Sequence, residues 1–278
     1  MTQLLLGTHR PTWLANPHAD ALRPLFLSRN VFADASGTCL RRTLPVARGP
    51  WALDSGSFTE LQHHGDWRIS AEQYAAQVVR LRDEVGHLRW AAPRDRMCEP
   101  IVIQGGWAGR QFFVGTHLSV PEHQRLTVLD FVELRQLLGP LVIPVLQGYT
   151  LADYQRCRDL YDRHGVDLAA EPLVGVGSVC RRQATGEIAA LMAVLAGEGL
   201  RLHGFGVKAG GLDRYAGDLW SCDSMAWSKD GRHTRGCGCP CHRPHKTEAN
   251  CIHHATRWHR QTMARLGAVQ LALPVGVA

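Results

Sequence analysis

The sequence has no run of about 20 apolar residues of the kind that crosses a membrane. Its opening, MTQLLLGTHRPTWL, contains a short apolar stretch but no basic leading segment and no small-residue cleavage site, so no secretory leader is expected. A paired-cysteine framework is missing too. The nine cysteines are an odd number, and without a secretion signal they point to reduced thiols and a cytoplasmic chain. No internal repeat or low-complexity tract interrupts the chain, and no linker is evident before residue 229. Aromatic residues are only 7% and charged residues 20%, but hydrophobic residues reach 45%, which is enough for a packed globular core. Lys and Arg outnumber Asp and Glu, giving a formal charge of +6 and a pI near 9.0, a balance that leans towards a polyanionic partner such as nucleic acid.

At 278 residues the chain exceeds a usual domain of ~100–150 residues, yet a single α/β barrel commonly runs to about 250. Short apolar runs suited to buried parallel strands are LLLG (4–7), WALD (51–54), LRWAAP (88–93), LVIPVLQG (141–148), LVGVGSV (173–179), RLHGFGV (201–207) and DLWSCDS (218–224). Helical patterns lie between them. Ser70 and Gln73 form a capping box before Tyr74, Val78, Leu81 and Val85, which share one helical face. Thr150 and Asp153 cap a second helix carrying Leu151, Tyr154, Cys157 and Tyr161, closed by Gly165. A third carries Ile188, Leu191, Met192 and Leu195. Repeated strand-then-helix units imply a parallel sheet, and seven or more strands favour a closed (β/α)8 TIM barrel over an open sheet. The expected organisation is a barrel core over 1–228, then a metal-binding segment and C-terminal helix over 229–278.

In a parallel barrel, chemistry sits where strands end. Those positions hold Asp54, Asp95, Gln147, Gly177 with Ser178, His203 with Gly204 to Gly206, and Asp223. A strand-end aspartate also suits the simpler task of capping the next helix. Three of them on one rim, among glycines, would instead make an acidic pocket with room for a flat ligand. The stretch WALDSGSF raises the same choice, since Asp54, Ser55, Gly56 and Ser57 suit either a plain turn or a carboxylate beside approachable backbone amides.

Taken in order, DSGSF (54–58), PVLQGY (144–149), VGVGSV (174–179), HGFGV (203–207) and SCDSMAWS (221–228) resemble the motif set of the tRNA-guanine transglycosylases, TIM-barrel enzymes that exchange guanine for a 7-deazaguanine. The segments LGTHRPTWL, RGPWALDSGSFTEL, WAAPRDRMCEP and LAAEPLVGVGSVCRRQ are similar to their DNA-acting relatives, the 7-deazapurine-in-DNA transglycosylases of phages and bacteria. The likeness spans about residues 4 to 260. It implies a pentosyltransferase with DNA, guanine and a free preQ0-type 7-deazaguanine base as partners. Asp223 would be the nucleophile at C1′ and Asp54 the acid/base group. Asp95 would read the N–H donors of the base, with Glu99 as the alternate. Gln147, Gly177 and Ser178 would bond its edge, Phe58 would stack on it, and Ser57, His203 and Gly204 would complete the pocket. The family carries glycine where this chain has Ser57 and Ser178, so these two residues add bulk at the pocket floor.

Four cysteines cluster late in the chain, Cys237, Cys239, Cys241 and Cys251, and the spacing argues for a metal. The resemblance implies a structural Zn2+ here. Cys237, Cys239, Cys241 and Cys251 form the expected ligand set, with His242, His245 and His254 as alternatives to Cys241. Phosphate contacts are expected from Arg181, Arg182, Lys208 and the basic residues of 229–260. The segment 103–124, with Trp107, Phe112 and Phe113 among glycines, reads as a lid, a base-stacking element or an insertion. His63, His64 and His123 are expected at the surface or facing substrate. The short stretch after Cys251 leaves little room for an appended RNA-binding domain, which favours DNA over tRNA. A tRNA enzyme and a non-catalytic zinc-bearing nucleic-acid-binding barrel remain the alternatives.

Overall fold

The computed structural model describes residues 2–182, 184–234 and 246–272. Eight strands form one all-parallel sheet: β1 (Gln3–Gly7), β2 (Leu25–Ser28), β3 (Trp51–Asp54), β4 (Leu88–Ala91), β7 (Val145–Leu146), β8 (Val174–Val176), β9 (Leu202–Gly204) and β10 (Ser221–Ser224). A separate antiparallel hairpin holds β5 (Gly106–Ala108) and β6 (Gln111–Phe113). The order across the sheet is β4-β3-β2-β1-β10-β9-β8-β7, so chain neighbours are spatial neighbours and the N-terminal strand pairs with the last. The sheet curls until its edges meet. Ala91 and Val142 form a parallel bridge there, and the Ile143 N–H donates to the Ala91 carbonyl at 3.1 Å.

The strands alternate with period two, and that period decides what faces inward. Leu4, Leu6, Trp51, Leu53, Val174, Val176 and Leu202 point outward into the main core beneath the helices. Leu5, Phe26 and Ala52 point inward, where Trp90 and Phe205 pack against them. Strand-end residues of the same inward parity then form the next layer up. Trp51 is fully buried, and its indole N–H donates to the Gly86 carbonyl at 2.7 Å.

The helices are α1 (Ser57–His64), α2 (Ala71–Arg80), α3 (Pro100–Gln104), α4 (Val120–Leu138), α5 (Leu151–Arg163), α6 (Gly186–Gly197), α7 (Ala209–Tyr215), α8 (Ala226–Gly231) and α9 (Ile252–Ala272). Both expected caps form reciprocal boxes, Ser70 with Gln73 and Thr150 with Asp153. Tyr74, Val78, Leu81 and Val85 are completely buried, as are Tyr154, Cys157 and Tyr161 on α5. Strand β2 lies outside the expected set, and so does the long helix α4. Ala255 and Leu266 of α9 belong to the main core, with Trp258 and Met263 packed against it. Among the described residues no helix is long and apolar enough to cross a membrane.

The cysteines scattered singly along the chain differ in exposure. Cys39 is exposed and Cys180 is partly exposed, whereas Cys98, Cys157 and Cys222 are buried. Cys237, Cys239, Cys241, His242 and His245 lie outside the described residues. Cys251, immediately before α9, and His254, on its first turn, are buried.

Candidate active site

Where the strands end, a cavity of about 270 Å³ opens on the inner side of the sheet. Gly7, Ser28, Asp54, Ala92, Gln147, Gly177, Phe205 and Asp223 line it, each following the inward layer by two residues on its own strand. Ser57, Phe58, Asp95, Met97, Glu99, Ser178 and Cys180 come from the loops and complete the wall. Three aspartates from β3, β10 and the loop after β4 therefore share one enclosure.

Asp54 is the most perturbed of them. Burial pushes its carboxyl up to about 7, the charges of Asp95 and Asp223 add to the push, and the Ser28 hydroxyl and Gly56 amide oppose it. The Gly56 N–H donates to Asp54 Oδ2 at 3.2 Å. Burial also raises Asp95, partly offset by the Ser57 and Gln147 side chains that bond it. Asp223 Oδ1 accepts from the Gly206 N–H at 2.9 Å, so a backbone amide of the β9 loop fixes one oxygen of the carboxylate.

Asp95 anchors a hydrogen-bonded chain across four strand ends. The Ser57 hydroxyl donates to Asp95 Oδ1 at 2.6 Å, and the Gln147 amide donates to Oδ2. The Ser178 hydroxyl donates to Gln147 Oε1 at 2.6 Å and accepts from the Cys98 N–H at 2.7 Å. This orients the Gln147 amide so that its NH₂ faces Asp95. Gly177 makes the room, because a Cβ there would lie 2.2 Å from Gln147 Nε2. Ser178 adopts φ 57°, the left-handed region where glycine is at ease, and its two hydroxyl bonds offset that strain. The bulk expected from Ser57 and Ser178 is thus not idle, since both hydroxyls join the Asp95 network.

Glu99, the alternate to Asp95, lines the same cavity and is 4% exposed. Burial raises its carboxyl as well, and its Oε2 has no hydrogen-bond partner among the described residues. Phe58 lines the cavity with its ring 5.6 Å from that of Phe113, edge to face. The Arg181 guanidinium lies over both rings, at 5.6 and 5.1 Å.

His203 and Gly204 do not line the cavity. His203 faces inward but one layer too low; it is completely buried among Phe26, Trp90 and Phe205, with Nδ1 2.8 Å from the Ser221 hydroxyl and Nε2 3.5 Å from Asp223 Oδ1. Gly204 has the opposite parity, and a Cβ on it would meet Val207 and Leu219. The wall position on this strand belongs to Phe205, with Gly206 behind it. Thr8 and His9, just past β1, also line the cavity, and the strand-end rule applied to LLLG would have found them. His123 is a correction: it is fully buried with its ring nitrogens 2.7 Å from the Met97 carbonyl and 2.6 Å from Thr116 Oγ1, and burial lowers its pKa, so it serves as a neutral brace. His63 and His64 are exposed on α1. Arg182 is engaged, with its guanidinium 3.9 Å from the Tyr149 ring centroid and bonded to Glu187.

The carboxylate-rich cavity lies at the strand ends of a parallel α/β sheet, the place where such sheets hold their ligand sites. The chain belongs to the DpdA family, DeoxyPurine in DNA protein A, whose model matches residues 1–274. Membership carries a transglycosylase-type role in the modification of DNA with deazapurines. No curated protein is a significant match. A solved structure from Coccidioides immitis, provisionally assigned as a fructose-1,6-biphosphate aldolase, aligns at TM-score 0.49 and 11% identity over 97% of this chain and 92% of its own.

Proposed function

We propose that the protein exchanges guanine in DNA for a preQ0-type 7-deazaguanine by two displacements at C1′ of one nucleotide. The observation that carries this reading is the sharing of one cavity by Asp54, Asp95 and Asp223, with Asp54 poised near neutrality. Asp223 attacks C1′, the bond to guanine breaks, and the sugar is held as an ester of the carboxylate. Asp54 in its protonated form gives a proton to the departing guanine. It then takes one from the incoming base, whose nitrogen attacks C1′ and releases Asp223. Two inversions restore the starting anomer.

Asp95, Gln147 and Ser178 hold the heterocycle by its edge. Phe58 stacks on that base. The full architecture is a (β/α)8 barrel, supported by the cyclic strand order and the bridge between Ala91 and Val142.

A structural zinc fits the residues that are described at the start of α9. Cys251 is 1% exposed, and His254, one turn on, is 5% exposed with its Nδ1 lacking a hydrogen-bond partner and its Nε2 3.3 Å from Asp230 Oδ2. Among the described residues alone, no group of three ligands forms. We place Cys237, Cys239 and Cys251 in the zinc set, with Cys241 or His254 as the fourth. Such an ion would pin the segment after α8 to the barrel and take no part in base exchange.

The test supplies labelled guanine and 7-deazaguanine with duplex DNA and tRNA side by side. Label entering DNA, and a deazaguanosine in its nucleoside digest, is the expected result. Label entering only tRNA overturns the substrate, and label entering neither overturns the reaction.

A further inference from the structure

We propose that the β5–β6 hairpin is a stacking wedge for DNA bases, engaged when the target nucleotide leaves the helix to enter the cavity. This rests on the reading of the protein as a DNA base-exchange enzyme. The hairpin carries two large aromatic rings on its outer face. Trp107 is 71% exposed and Phe112 50%; they pair directly across the strands with ring centroids 5.3 Å apart. Two exposed rings packed against each other at a 58° tilt mark a binding face.

The face is rigidly held. Phe113, which follows Phe112 and so points the other way, is completely buried with Leu61, Met97 and Val102. The Gln62 amide donates to the Phe112 carbonyl at 3.1 Å, and the Val114 N–H donates to the Gln62 carbonyl at 3.0 Å. Gly105 lets the two arms cross at the base of the hairpin, since a Cβ there would lie 2.6 Å from the Val114 carbonyl.

Its position and charge select the occupant. Phe113 packs on Phe58, which lines the cavity, so the exposed pair stands one residue layer from the base site. Arg110 is exposed at the hairpin tip and Arg181 lies over the inner rings, while the whole chain is positive. Aromatic rings flanked by guanidinium groups suit a polyanion whose bases expose π-faces. A base flipped from a duplex leaves its neighbours unstacked, and an aromatic wedge restores that contact.

The experiment compares wild type with Trp107→Ala/Phe112→Ala, and with Trp107→Phe as the conservative control, on two fluorescein-labelled duplexes. One is fully paired, and the other places a single guanine opposite an abasic site. Binding is read by anisotropy and exchange by incorporation of labelled base. The expected result is about 10- to 100-fold weaker binding of the abasic-site duplex by the double variant. Exchange on the paired duplex should fall by a similar factor, Trp107→Phe should stay near wild type, and thermal unfolding should be unchanged because both rings are exposed. Equal binding and exchange by the double variant and wild type overturns the wedge and leaves the face to a protein partner. Weaker binding by a protein whose wild type exchanges no base on any DNA upholds the wedge and overturns the proposed reaction instead.

Discussion

Replacing Asp54 by asparagine should stabilise the protein at neutral and higher pH while removing base exchange. In the wild type, the Asp54 carboxyl ionises near 3.8 when unfolded and near 7 when folded, because burial and the neighbouring Asp95 and Asp223 disfavour its charge. A folded-state value above the unfolded one means that stability is complete below about pH 4. It then falls as pH rises and levels off once the folded carboxyl has ionised, above about pH 7. At 1.36 kcal/mol per pH unit, the full effect is roughly 4 kcal/mol, and water reaching Asp54 through the cavity mouth reduces it to about 2–4 kcal/mol. Asparagine carries no titrating proton, so the stability gap between variant and wild type should open between pH 4 and 7 and then stay constant. For a chain of this size the gap corresponds to roughly 5–10 °C in Tm. Urea or thermal unfolding across pH 4 to 8 measures it directly. Parallel curves for the two proteins would refute the claim that Asp54 is held near neutrality. The wild-type exchange rate should peak near pH 7, since expulsion of guanine needs the protonated Asp54 and uptake of the incoming base's proton needs the ionised form.

Asp223→Ala should abolish exchange, and Asp223→Asn should give no covalent protein–DNA species on denaturing gels; incorporation near the wild-type rate in Asp223→Ala would remove it from the role of nucleophile. Ser178→Ala keeps the left-handed backbone but deprives Cys98 N–H and Gln147 of their partner, so it should cost about 1–3 kcal/mol in unfolding experiments. Ser178→Gly relieves the backbone and should cost less; the reverse order would disprove the account of Ser178. Elemental analysis of protein purified under reducing conditions should find about one zinc per chain, with loss on Cys251→Ala. A wild-type protein with well under one zinc would dismiss the metal.

Much of this site is legible in the sequence because one geometric rule governs it. Short apolar runs mark the strands, and the residues after them mark the rim. WALD coincides with β3, and the rule brings Asp54, Asp95, Gln147, Gly177, Ser178 and Asp223 to one cavity. The rule fails within a strand end, where only parity separates wall from support. In HGFG, it is Phe205 that lines the cavity, while His203 falls a layer below and Gly204 points outward. Strand β2 is less legible because no α-helix follows it to complete a strand-then-helix unit, only a short 3-10 turn over Arg29–Val31. Helix α4 was hidden by its polar content. His123, Gln124, Thr127 and Asp130 are all buried on it, and they are bonded to the loops around the cavity rather than facing water. Such a face looks solvent-exposed in a sequence, although partners from distant segments satisfy it.

The two-residue alternation of the strands acts as a reading frame for the chemistry. Cys222 and Asp223 are adjacent on β10, yet Cys222 lies on the helix side, where burial pushes its thiol well above its ordinary value and leaves it inert, whereas Asp223 lines the cavity. Losing one residue from that strand would swap the two, offering a thiol to the substrate and a carboxylate to the apolar core. Substitutions can therefore accumulate one at a time around this cavity, but changes of length are confined to the loops. The hairpin between β4 and β7 sits in such a place, a whole element carried within a connection outside the parallel sheet.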